Sequence, residues 1–177
     1  PGGPILWWSP DPRAVLIPGH VHVSRRLTRT LRQRKFEITV NQEFEAVIDG
    51  CAEPRDAVAG TWITAEMRRA YIHLQKCGDA ISLEVRRNSR LVGGLYGVAI
   101  GRIFFAESKF HYERDASKVA LAELMQRLKA RGFLLCDCQL WSPHLENFGV
   151  RMIDRHDFIR IIEHGIRLSP VRLLTEA

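Results

Sequence analysis

Residues 81–107 read ISLEVRRNSRLVGGLYGVAIGRIFFAE, and this stretch decides the fold class. It holds three short runs rich in Val, Ile, Leu and Phe: Ile81–Arg86, Leu91–Ile100 and Arg102–Glu107. Asn88-Ser89 separates the first pair, and Gly101 breaks the second. Turn residues between runs of strand-forming side chains predict an antiparallel meander.

Downstream the period changes to that of a helix. Val119, Leu121, Leu124, Met125 and Leu128 supply an apolar stripe over residues 116–130, and Gly132 ends it. Phe133–Asp137 reads as a buried strand. Asp154 and Asp157 fit the start of a last helix, with Phe158, Ile161 and Ile162 inside and Gly165 as terminator. Upstream, Phe36–Val40 is a short strand and Asn41 is a candidate cap for a helix over 42–50. Thr64 caps a helix over 65–76 that carries Glu66 in its first turn and Gly78 past its end. Residues 53–60 read as a loop. Residues 1–20, with five prolines and two tryptophans, read as an extended, irregular entry. Meander, helix, strand and helix predict an α+β (mixed α/β) domain, an order that resembles the GNAT acyltransferase fold.

Composition narrows the partners. Of 177 residues, 46% are hydrophobic and 26% charged, with a net charge of +6 and a pI near 9.5. Such a balance favours a polyanionic partner. The basic charge is concentrated: between Arg25 and Lys35 there are six basic residues and no acid. Leu27 and Leu31, four apart, predict a short helix that buries them and projects the arginines, with Arg25, Arg29 and Arg32 on one face. No apolar run reaches the roughly 18 residues of a membrane span, and no secretory leader pattern is visible. None of Cys51, Cys77, Cys136 and Cys138 forms a CxxC pair, and reduced thiols in a cytoplasmic protein are expected. His20 and His22 have no further ligand at metal-binding spacing, so no metal is expected. Ser9, Ser108 and Ser142 lie in no nucleophile-elbow sequence.

Four segments bring the reading to a family: Pro4-Ile5-Leu6-Trp7-Trp8-Ser9-Pro10-Asp11-Pro12-Arg13, Gly60-Thr61-Trp62-Ile63-Thr64, Leu91-Val92-Gly93-Gly94-Leu95-Tyr96-Gly97-Val98 and Asp137-Cys138-Gln139. Phe104-Phe105-Ala106-Glu107-Ser108 lies between the last two. In this order and at these separations they resemble the leucyl/phenylalanyl-tRNA–protein transferases, over nearly the whole chain. There are departures. Lys109 stands where family members often have Met, Ala106 where glycine is common, and the family's N-terminal domain is expected to lie upstream of this numbering. Residues 1–13 are therefore expected to be the tail end of a missing N-terminal domain, and 14–177 the GNAT-like catalytic domain.

The resemblance implies a monomeric, cofactor-free cytoplasmic enzyme. It would move Leu, Phe or Met from aminoacyl-tRNA to the N-terminal Arg or Lys of acceptor proteins, marking them for degradation. It also implies roles. Asp137 and Gln139 would be catalytic, emerging together from a strand end because residues two apart share a face. The bland reading of such an Asp is a cap or loop anchor. Glu107 would meet the acceptor's positive charge, where an ordinary Glu is a solvated strand terminus. Leu95, Phe104 and Cys136 would line the amino-acid pocket rather than serve only as core. Trp62 and Tyr71 would form a platform for the 3′-terminal adenosine. Arg25, Arg29 and Arg32 would hold the tRNA backbone without reading sequence.

Two rivals remain. An acetyl-CoA-dependent N-acetyltransferase needs a glycine-rich turn for pyrophosphate, whereas Phe110-His111-Tyr112-Glu113-Arg114-Asp115 has no glycine and two acids. A non-catalytic RNA-binding module explains the charge but gives no role to Gly93-Gly94 or to Asp137 and Gln139.

Overall fold

The computed structural model describes residues 8–54 and 60–171. In chain order the elements begin β1 (Arg13–Leu16), α1 (Arg25–Arg32), β2 (Glu37–Val40), α2 (Phe44–Ala52) and α3 (Ala65–Cys77). The meander follows as β3 (Ala80–Arg87), β4 (Arg90–Ile100) and β5 (Ile103–His111). Then come α4 (Ala116–Ala130), β6 (Leu135–Gln139), α5 (Pro143–Glu146), β7 (Arg151–Ile153) and α6 (Arg155–Arg167). The strands form one sheet in the order β2-β3-β4-β5-β6-β1-β7. Among the described residues only the β5–β6 pair is parallel. The expected meander–helix–strand–helix order is present, and the chain is a mixed α/β fold built on a central sheet.

The turns behave as the sequence implies. Asn88 and Ser89 both take positive φ, 49° and 62°, the backbone of a tight hairpin. α4 ends in a glycine-centred motif. Gly132 N–H donates to Lys129 O at 3.1 Å and Phe133 N–H to Leu128 O at 2.9 Å. Phe133 is thereby spent on closing the helix, which is why the strand expected from Phe133 starts at Leu135 instead.

Both sheet faces are covered. On one, α4 and Leu27 of α1 pack against Leu83, Val85, Leu95 and Phe104. On the other, α2 and α3 cover Tyr96 and Val98, while Phe158, Ile161 and Ile162 of α6 cover Val15, Ile103 and Leu135. The glycines of β4 set the depth of this packing. A Cβ on Gly93 would stand 2.7 Å from the Ala116 Cβ at the start of α4, and one on Gly94 2.7 Å from Leu83 O.

Four expectations are corrected. Residues 13–16 lie within the stretch read as irregular, yet form a strand between β6 and β7 that is fully buried from Ala14 to Leu16. Four residues among prolines carry no periodic signal. Asn41 does not cap α2: it sits at φ +53°, and its side-chain oxygen accepts from Ser82 N–H at 2.7 Å. The helix start is served from across the sheet. Buried Glu84, held by Thr39 and Ser82 hydroxyls, accepts from Gln42 and Glu43 N–H at 3.4 and 3.5 Å. Gly165 is inside α6, not past its end, and its lack of a side chain serves close packing, since a Cβ there would strike Ile103. Finally, β5 runs on to His111, so Glu107 lies within a strand rather than at its terminus.

Candidate active site

The site follows from how β5 and β6 part. Their parallel pairing comprises Ile103↔Leu135, Phe104↔Cys136 and Phe105↔Asp137 and then stops, while β5 continues six residues further to His111. The strands splay beyond Phe105, and a cleft of about 490 Å³ fills the wedge. Its walls include Ala106, Glu107, Ser108 and Lys109 of β5 and Cys138 and Gln139 of β6. Because the wedge cuts through the sheet, the cleft meets both layers. Leu95, Leu121 and Leu145 from the α4 side give it an apolar wall. Cys51, Thr61 and Trp62 come from the α2–α3 side.

On that second side lies a small acidic and aromatic group. Glu107 is half-buried, and burial, the largest influence, raises its pKa above the ordinary carboxylate value. The Tyr71 hydroxyl beside it opposes that rise by hydrogen bonding, the Asp137 charge adds to it, and the Arg13 charge opposes it. Tyr71 packs edge-on against Tyr96, with centroids 5.1 Å apart, and against Trp62 at 6.3 Å. Burial, with the Glu107 charge, holds its phenol protonated well above the ordinary range. Trp62 is 50% exposed, an open ring face at the cleft wall.

Behind β6 is a buried ion pair. Arg13 Nε and Nη2 donate to the two oxygens of Asp137 at 2.9 and 2.7 Å, and Asp137 is fully buried. Asp137 Oδ1 also accepts from Gln139 N–H at 3.0 Å. Gln139 takes φ +59°, the left-handed region that non-glycine residues seldom adopt. The turn at Gln139 breaks the two-residue alternation of a strand. In consequence Cys138 and Gln139 both reach the cleft wall, and Asp137 does not.

The expected site residues therefore fall into groups. Leu95, Glu107, Gln139 and Trp62 line the cleft. Phe104 and Cys136 are fully buried in the cluster that backs Leu95. Tyr71 stands behind Trp62 and against Glu107. Asp137 lies behind Gln139. Sequence reasoning passed over Arg13, Cys138, Leu121 and Leu145. Arg13 closes the Pro10-Asp11-Pro12-Arg13 segment, and Leu121 is in the α4 stripe, but nothing local marks either as part of a site.

Arg25, Arg29 and Arg32 are exposed along one face of α1 and enter no ion pair among the described residues. Leu27 is buried and Leu31 partly so, as the spacing predicts. Arg26 points elsewhere and pairs with Asp115 at 3.0 Å. That acid begins α4 at φ +70°, also paired to Lys118 at 3.5 Å. An acid whose charge is held by Arg26 and Lys118 thus stands at the helix start, where the acetyltransferase rival would need open backbone N–H groups for pyrophosphate. Among the described residues no helix is long and apolar enough to cross a membrane, and no group of three or more His, Cys, Asp or Glu is gathered for a metal ion.

The sequence pattern of the leucyl/phenylalanyl-tRNA protein transferase family matches residues 15–163. A protein of that name from Azotobacter vinelandii is 52% identical over 167 residues, covering 94% of this chain and 74% of the relative. Another from Pseudomonas putida is 52% identical, covering 93% and 73%. Among solved structures, an aminoglycoside acetyltransferase from an uncultured soil metagenomic sample overlays 81% of this chain and 94% of its own, at 11% identity and a TM-score of 0.45.

Proposed function

This chain belongs to the leucyl/phenylalanyl-tRNA protein transferase family and is an aminoacyltransferase that carries amino acids from tRNA to proteins; we propose that its donors are Leu-, Phe- and Met-tRNA, and its acceptors proteins beginning with Arg or Lys. The product would be marked for degradation, and the work would be done in the cytoplasm by a single copy of the chain.

One observation carries the finer reading: a single cleft joins an apolar wall to a half-buried carboxylate and an amide. The apolar wall of Leu95, Leu121 and Leu145, backed by Phe104 and Cys136, suits an uncharged side chain and tolerates several similar ones. Glu107 suits a guanidinium or ammonium on the acceptor. Trp62, steadied by Tyr71, offers a stacking face for the terminal adenine. The arginine face of α1 suits phosphates, held without regard to sequence. Enzymes of this kind must accept several tRNAs and inspect the amino acid.

The reaction then needs little from the protein beyond placement, because the ester is already activated. The acceptor's α-amine attacks the ester carbonyl, the C–N bond forms, and the C–O bond to the tRNA ribose breaks. The amine's proton ends on the departing ribose oxygen. The Gln139 side-chain oxygen accepts a hydrogen bond from the incoming amine and fixes its approach. Asp137 holds Gln139 from behind by accepting its backbone N–H, and is itself held by Arg13.

The direct test is to incubate the chain with Phe-tRNA and a peptide beginning with Arg, then measure the peptide's mass. Addition of one Phe to that peptide, and none to the same peptide with a blocked amine, is expected. No addition to the Arg peptide would sink the proposal.

A further inference from the structure

Gln139 reaches the cleft only because its backbone is left-handed, and that conformation has to be held. Asp137 holds it by accepting the N–H two residues on, the local turn that Asp side chains favour. A fully buried carboxylate is costly unless hydrogen bonds or an opposite charge compensate it, and Asp137 has a charged partner. Arg13 is that partner. It comes from the neighbouring strand, where Ala14 pairs with Gln139 and the register shifts by a bulge before Val15. Its fork meets both Asp137 oxygens, its side chain is 11% exposed, and its guanidinium lies 4.9 Å over the Phe158 ring of α6.

We propose that Arg13 is a positioning residue of the transfer reaction: its two-point clamp on Asp137 sets where the Gln139 amide stands in the cleft. The inference rests on the aminoacyl-transfer reading of the cleft. Arg13 is not among the residues lining it. Its influence passes through Asp137 and the Gln139 N–H. Displacing a group that orients a reacting amine slows turnover without weakening substrate binding, by up to about a hundredfold for a shift of one ångström.

Arg13→Lys keeps the charge and removes the fork. With Phe-tRNA and an Arg-initiated peptide, we expect kcat to fall at least about tenfold with the donor Kd within about twofold of the parent. In a Gln139→Ala background, Arg13→Lys should cost less than about twofold more, because both changes remove one contribution. A residue that merely stabilises the fold would lower the melting temperature and multiply the losses in the double variant. A second arm uses Arg13→Ala with added methylguanidinium. Saturable recovery of kcat in Arg13→Ala, and none in Arg13→Ala/Gln139→Ala, supports the assignment. Near-parental turnover of Arg13→Lys, losses that multiply, or no recovery in folded Arg13→Ala overturns it while leaving the family reaction intact. A parent chain that transfers nothing overturns the reading beneath it as well.

Discussion

Gln139 and Asp137 stand two residues apart, yet the structure gives them different surroundings, and their variants should differ accordingly. Gln139→Ala removes an amide at the cleft wall, so kcat should fall with little change in melting temperature or donor affinity. Asp137→Asn strips the charge from a buried pair and leaves the Arg13 guanidinium without its counter-charge, which costs roughly 3–5 kcal/mol. Urea unfolding separates the two: a large loss for Asp137→Asn and a small one for Gln139→Ala. Equal losses would mean that Gln139 too is structural. Glu107 makes a pH prediction. Its pKa is raised chiefly by burial, so the folded chain holds this proton at a pH where the unfolded chain has released it. Stability should accordingly decline as pH rises from the ordinary glutamate value through the raised one, and Glu107→Gln should remove that slope. Acceptor binding has the opposite sense, because only the ionised carboxylate pairs with Arg. The KM for an Arg-initiated peptide should rise on acidification at a pH above that of an ordinary glutamate, and Glu107→Gln should have a high KM at all pH. A variant with parental KM would leave Glu107 as a partner of Tyr71 with no part in acceptor binding.

Elements with long periodicity are legible in the sequence itself. α4 occupies residues 116–130 as its stripe predicts, and Thr64 and Asp154 cap their helices through side-chain oxygens at 3.2 and 2.8 Å. What was not legible depends on contacts across the fold. β1 is recognisable as a strand only with β6 and β7 beside it. The start of α2 is served by Glu84, which lies more than forty positions along the chain. The site divides the same way. Leu95, Glu107, Trp62 and Gln139 could be named from motifs, but the Arg13–Asp137 clamp joins residues 124 positions apart and leaves no local mark. The glycines of β4 carry the prediction at this scale. With the Cβ of Ala116 at 2.7 Å, Gly93→Ala must push α4 off the sheet or bend β4, and overpacking of this kind costs about 1–3 kcal/mol. A thermal melt should show that loss, whereas an unchanged midpoint would mean that α4 yields freely.

Across the whole molecule, the proposed function divides recognition between the charge of α1 and the cleft. The exposed arginines of α1 lie outside the cleft, so removing them should affect every donor alike. Replacing Arg25, Arg29 and Arg32 together by Ala should weaken Leu-tRNA and Phe-tRNA binding by the same factor. It should also flatten the dependence on salt, by up to about 0.7 in slope per lost phosphate contact with single-stranded nucleic acid. An unchanged slope removes α1 from the interface. The fold should survive, because the three side chains project to solvent and the helix is held by Leu27 and Leu31. The splay of β5 from β6 has a consequence for the order of events. The wedge gives one cleft walls from both layers of the sheet, so on the proposed reading the amino acid rests against Leu95, Leu121 and Leu145 while Glu107 is left for the peptide. Neither must leave before the other arrives, and both are held when the bond forms. Initial rates measured with both concentrations varied should therefore give intersecting double-reciprocal lines, with two-substrate saturation in either order. Parallel lines would instead require the amino acid to be parked on the protein between two half-reactions.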